Sequence, residues 1–142
     1  MKILVINGPN LNMLGIREPD IYGKQDFASL ENFIRSSADE LGLEVSLFQS
    51  NHEGEIVDVI QSAYGVFDGI VINPAAYTHT SVAILDALKA VGIPTIEVHL
   101  SDINGREEFR KHSYVSMVAK ITVCGLGFEG YRIALKYFTG NL

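Results

Sequence analysis

Between Asn7 and Tyr22 the chain reads NGPNLNMLGIREPDIY, a polar, proline-punctuated loop after an apolar run, carrying Asn10, Arg17 and Tyr22. A tyrosine five residues after an arginine, on a segment too irregular for a helix, can be held as a phenolate if the guanidinium folds back over it. A phenolate is a base. Bringing a phenol from its reference pKa of ~10 to near 7 needs roughly 4 kcal/mol of preference for the ionised form. An exposed ion pair supplies only ~0 to 1 kcal/mol. The pairing therefore predicts a lid of about residues 15–23, bounded by Gly15 and Gly23, that shuts out water and strengthens the field of Arg17.

A second pair lies at Glu97 and His99, two apart in the run TIEVHL and hence on one face of a strand. A carboxylate beside an imidazole fixes its tautomer and supports its charged form, which suits an acid or base working near neutrality. A zinc site would need further ligands, and neither His52 nor His79 stands at ligand spacing to this pair, so no metal is expected. Each residue also has an ordinary reading. Tyr22 can be a loop aromatic, Arg17 a solvated charge and His99 a strand-end histidine on a backbone carbonyl. In YTHTS, Thr78 or Thr80 can cap the next helix, leaving His79 as a bystander. Asn10 and Asn73 can simply close turns.

These residues are carried by an alternating pattern. Five short, β-branched apolar runs, at 2–7, 43–49, 69–73, 95–100 and 120–125, read as buried strands. Segments of helical spacing lie at 27–41, 53–64, 81–91 and 128–138. In the first, Phe27, Leu30, Phe33, Ile34, Ala38 and Leu41 form one stripe, with Glu31, Arg35 and Asp39 facing away. The segment 101–113 is the weakest, with helical character only at 107–111. Strands alternating with amphipathic helices imply an α/β fold with parallel strands covered on both faces. Five of them suggest a flavodoxin-like, doubly wound sheet of order 2-1-3-4-5.

In such a sheet the ligand sits beyond the carboxyl ends of the strands, near the switch point between strands 1 and 3. Asn10, Arg17 and Tyr22 follow strand 1, Asn73 and His79 follow strand 3, and His99 and Ser101 close strand 4. Three neighbouring strands thus deliver acid-base groups to one edge. Arg106 and Arg110, four apart, either form a solvated face with Glu107 and Glu108 or send one guanidinium to the same crevice. GLGFEG at 125–130 has the GxGxxG form, but too little chain follows for a dinucleotide unit, so its glycines serve a turn and close packing. No GxSxG elbow is present.

The 142 residues, 47% of them hydrophobic and with no linker or repeat, fit one domain spanning 1–142. A net charge of −6 argues against nucleic acid or an anionic membrane as the partner. No apolar run nears the ~20 residues of a membrane span. The single cysteine, Cys124, excludes an internal disulfide and a CxxC site, and a reducing, cytoplasmic setting is expected.

Five motifs in order, NGPNLNMLGIREPDIYG, FQSNHEGEIVD, INPAAYTHTSVAILDAL, EVHLSDINGREEFRKHSY and GLGFEGYRIAL, resemble the type II 3-dehydroquinases from Met1 to about Tyr137. That resemblance implies a flavodoxin-like, cytoplasmic dodecamer built from trimers. Its reaction is anti elimination of water from 3-dehydroquinate through an enolate, without metal or cofactor, in the shikimate pathway or in quinate breakdown. Position by position, it makes Tyr22 the base at C2 and Arg17 the support of its ionised form, with His99 the acid for the C1 hydroxyl. Asn10 would place a water on the enolate. Asn73 and the amides of Leu100 and Ser101 would hold the substrate, with His79 and Arg110 on its hydroxyls. Asp86 would reach a neighbouring subunit's site, and Glu97 would orient His99. Ala75 and Ala76 stand where the family commonly has glycine, and Asp102, Met117 and Ile121 also depart from its usual residues. Two rivals are another cofactor-free lyase or isomerase acting beside a carbonyl, and a non-enzymatic module holding a nucleotide or phosphate at the switch point.

Overall fold

The computed structural model describes residues 1–16 and 25–140. Five parallel strands, β1 (Lys2–Asn7), β2 (Glu44–Gln49), β3 (Gly69–Asn73), β4 (Thr95–His99) and β5 (Ile121–Cys124), form one sheet of order β2-β1-β3-β4-β5. The expected order holds. Among the described residues there are four α-helices: α1 (Phe27–Leu41), α2 (Glu53–Ser62), α3 (Val82–Val91) and α4 (Glu129–Tyr137).

Both faces of the sheet are covered, which is why the central strands read as unbroken apolar runs. Because successive side chains alternate, Ile3, Val5, Val71, Ile96 and Val98 pack on one face against Leu30 and Ile34 of α1 and Tyr131 and Leu135 of α4. Leu4, Ile6, Ile70 and Ile72 pack on the other against Ile56 and Ile60 of α2, Ile84 and Leu88 of α3, and Val115. Glu97 shares β4 with these core residues yet is completely buried. It therefore needs polar partners inside the protein.

Local signals fix the helix ends. The Asp26 carboxylate accepts from Ser29 N at 2.8 Å to start α1. Ser81, rather than Thr78 or Thr80, caps α3 by accepting from Ile84 N at 3.0 Å. In GLGFEG, Gly125 takes φ 83° at the end of β5 and Gly130 lies under Val98 and Val123, so the motif makes a turn and lets α4 approach the sheet. The segment after β4 holds no α-helix; it runs as three short 3-10 turns at Ile103–Gly105, Glu108–Arg110 and Val115–Met117. No helix among the described residues is long and apolar enough to cross a membrane.

At the switch point the loops after β1 and β3 touch. Gly8 N donates to Asn73 O at 2.8 Å, and a Cβ on Gly8 would lie 2.6 Å from Pro74 O. Any larger residue would force these two loops apart. This close approach puts Asn10 and Asn73 on one wall.

Candidate active site

Beyond the carboxyl ends of β1, β3 and β4 lies a crevice of about 610 Å³. Asn10, Asn73, His79, His99, Leu100, Ser101 and Arg110 all line it, as the sequence anticipates. Arg106 lines it as well, so both arginines of that segment face the crevice rather than one. Met13, Leu14 and Ile103 add an apolar part that the polar motifs do not signal. Arg17 and Tyr22, with most of the expected lid, lie outside the described residues. Asp86 is exposed on α3 and does not line this crevice.

Each side chain is held by neighbours. Asn10 sits in the left-handed region at φ 71°, with its amide donating to Asn51 Oδ1 at 3.0 Å. Gln49 Nε2 donates to Asn51 Oδ1 at 3.2 Å and to Gly8 O at 3.2 Å, so a small amide lattice shapes the Asn10 loop. His79 Nδ1 lies 2.7 Å from His112 O, which tethers the loop after β3 to the segment after β4. Arg110 pairs with Glu107 at 3.0 Å, both partners reaching solvent. Such a pair orients the guanidinium more than it stabilises the fold.

Asn73, nearly buried, has both ends of its amide used. Its Oδ1 accepts from Ala75 N at 3.1 Å, and its Nδ2 donates to the Tyr131 hydroxyl at 3.0 Å. That hydroxyl in turn donates to Asn7 Oδ1 at 2.6 Å. Burial pushes the Tyr131 phenol well above its ordinary range, and the hydrogen bond from Asn73 opposes this only in part. It remains a neutral donor. Asn7 Nδ2 is buried without a hydrogen-bond partner among the described residues. Tyr131 has no sequence signal as a site residue, because on the stripe of α4 it reads as core.

His99 is nearly buried, and its Nε2 hydrogen-bonds to Oε2 of Glu97. Four hydroxyls also lie within hydrogen-bond reach of Glu97. Thr78 and Ser113 reach Oε2 at 2.9 and 2.8 Å; Ser116 and Thr122 reach Oε1 at 2.6 and 3.2 Å. Burial, the largest single influence, pushes the carboxyl up. The hydrogen bonds from His99, Ser116 and Ser113, with the charge of His99, outweigh it and bring Glu97 down to about 2. An ionised Glu97 accepts only, so His99 Nε2 carries the proton between them. Nδ1 is then the ring nitrogen left to exchange a proton in the crevice.

The arrangement provides an imidazole set in one orientation, amides and two arginines for a polar or anionic ligand, and a wall of hydroxyl and backbone groups. Among the described residues, no three His, Cys, Asp or Glu side chains are grouped so as to hold a metal ion.

Comparison with known proteins gives concordant results. The model of the family described as dehydroquinase class II matches residues 1–139. A 3-dehydroquinate dehydratase of Endomicrobium trichonymphae is 56% identical over 95% of this chain and 94% of its own length. Catabolic 3-dehydroquinase 1 of Aspergillus terreus is 57% identical over 99% and 92%. The crystal structure of a type II dehydroquinase from Butyrivibrio crossotus superposes with a TM-score of 0.92 at 53% identity, covering 96% of each chain.

Proposed function

Because the chain belongs to the class II dehydroquinase family, we propose that its crevice removes water from 3-dehydroquinate with Tyr22 as base and His99 as acid. The activity itself is that of a 3-dehydroquinate dehydratase, a hydro-lyase of the shikimate pathway. What supports the residue roles is the fixed His99–Glu97 pair facing the same crevice as Asn10, Asn73, His79 and Arg110.

The proton lost at C2 lies beside a ketone, so its removal gives an enolate and the hydroxyl leaves from the β position. The Tyr22 phenolate, sustained by Arg17, takes that proton. Asn10 places a water whose donated hydrogen bond stabilises the enolate oxygen. As the C1–O bond breaks, Nδ1 of the imidazolium gives its proton to the departing oxygen, and water results. Tyr22 has gained one proton and His99 has lost one, so transfer between them resets the enzyme. Asn73 and the amides of Leu100 and Ser101 hold the substrate, and His79 and Arg110 take its hydroxyls. No metal or cofactor is required, because every proton in the scheme has a protein donor or acceptor.

Asp86, exposed on α3 and not lining its own crevice, fits a role at the site of a neighbouring subunit in a cytoplasmic dodecamer of trimers. Residues 1–142 then act as one catalytic domain repeated through that assembly. Sedimentation velocity of the purified protein tests this, and a monomer would overturn it.

Addition of 3-dehydroquinate to the purified protein should produce the absorbance of a conjugated enone. Tyr22→Phe and His99→Gln should each lower kcat by at least about a hundredfold, the usual contribution of a general acid or base. Full activity in either variant would overturn the assigned roles.

A further inference from the structure

Glu97 does more than contact His99; it is the centre of a cage of four hydroxyls drawn from three separate places. Thr78 comes from the turn after β3, Ser113 and Ser116 from the segment after β4, and Thr122 from β5. A carboxylate oxygen offers about two acceptor sites. Oε2 has three candidate donors, namely His99 Nε2, Thr78 and Ser113. Thr78 Oγ1 and Ser113 Oγ lie 2.5 Å apart, so a proton must stand between them. One of these hydroxyls therefore donates to the other, and the pair fills a single site on Oε2. The second site belongs to His99.

Oε1 is different. Among the described residues it takes only Ser116 at 2.6 Å and Thr122 at 3.2 Å, and these two hydroxyls are themselves 3.1 Å apart. Ser113 also accepts from Ser116 N at 3.2 Å, so its removal would disturb the turn at 115–117 as well. The Ser116 hydroxyl meets only Glu97 and Thr122 among the described residues. Ser116 and Thr122 are both exposed residues, yet their hydroxyls reach a carboxylate that is wholly buried.

We propose that Ser116, seconded by Thr122, is a positioning residue for the dehydration, anchoring Oε1 so that Oε2 stays on His99 Nε2 and tempering the carboxylate's hold on the imidazolium proton. The inference rests on the reading of His99 as the acid. A hydroxyl donating to Oε1 draws charge from the carboxylate and weakens its hold on the proton it shares with His99. Without it, the more basic carboxylate supports the imidazolium more strongly, so His99 gives up its Nδ1 proton less readily, and the ring loses a fixed aim. Among the described residues, the charged and titratable groups around the pair are His79 from the loop after β3, Arg106 and Arg110 across the crevice, and Asp102 and Cys124 on the β5 side. None of them is altered by a change at Ser116.

The test has one arm that does not depend on turnover. In the intact, substrate-free protein, the His99 imidazole is titrated by ¹⁵N NMR, assigned by its absence in His99→Gln. Ser116→Ala should raise the midpoint by about half to one pH unit, a fraction of the effect of one hydrogen bond to a charged acceptor because the change reaches His99 only through Glu97. Ser116→Thr, which keeps the hydroxyl, should restore it. In steady state, Ser116→Ala should lower kcat several-fold with little change in KM, and move the alkaline limb upward with the NMR midpoint. Should Ser116→Ala fail to fold, Thr122→Val against Thr122→Ser puts the same question from β5. A His99 midpoint unmoved by loss of the hydroxyl, or a kcat defect that Ser116→Thr does not repair, overturns the proposal. An active His99→Gln would instead overturn the acid assignment, whatever the titration shows.

Discussion

The Tyr131 hydroxyl donates to Asn7 Oδ1 at 2.6 Å across 124 residues of sequence, joining the last helix to the end of the first strand inside the protein. The same oxygen accepts from Asn73 Nδ2, so one phenol supports two asparagines at the switch point. Tyr131→Phe keeps the ring and leaves both amides short of a partner. Each stranded buried group costs about 1 to 3 kcal/mol. Urea unfolding should therefore show a loss of about 2 to 6 kcal/mol, with a raised KM from a looser Asn73. A variant as stable as the wild type would contradict this bridge.

Ala75 stands at φ 52°, a left-handed conformation that an L-residue with a Cβ enters at a cost of about 1 to 2 kcal/mol. Glycine enters that geometry at little cost. Ala75→Gly relieves the strain but gives back part of it as unfolded-chain entropy. A net gain of up to about 1 kcal/mol should appear as a higher Tm. A lower Tm would mean that the alanine methyl contributes more by lining the crevice than it costs in the backbone.

Glu97 ties stability to acid conditions. Its pKa falls from 4.5 to about 2 on folding, so its contribution is fully present above the unfolded value. It is lost as pH drops through the folded one. Between pH 4.5 and 2 the protein should lose on the order of a few kcal/mol through this group alone. Glu97→Gln should be less stable at neutral pH and show a flatter stability profile over that window. A profile parallel to wild type would assign the acid sensitivity elsewhere.

Arg17→Lys probes the base. A lysine keeps the charge but not the planar, multi-donor head that can hold a phenolate, so kcat should fall at least about tenfold. Turnover near the wild-type value would sink the role given to Arg17.

The strand order and the crevice wall were legible because each rests on a local pattern: buried runs for the strands, and polar residues immediately after β1, β3 and β4. The Glu97–His99 pair was legible from period-two spacing. The hydroxyl cage was not, because Thr78, Ser113, Ser116 and Thr122 are small residues from three segments that only the tertiary fold brings together. For the same reason Thr78 read as a helix cap, whereas its hydroxyl turns to Glu97 and Ser81 does the capping. Arg106 was ambiguous because a spacing of four suits an exposed helix, and the segment instead winds in 3-10 turns that face both arginines to the crevice.

The bridge from Asn7 to Tyr131 also sets an order of events during synthesis. Every described side chain of the crevice wall has been made by Arg110. Thr122 on β5 and Tyr131 on α4, which hold that wall from behind, emerge later. A nascent chain can therefore possess all of these wall residues and still lack their support, because contacts of such long sequence separation close only when α4 arrives. The wall is braced from behind only after Tyr131 on α4 has been made and packed.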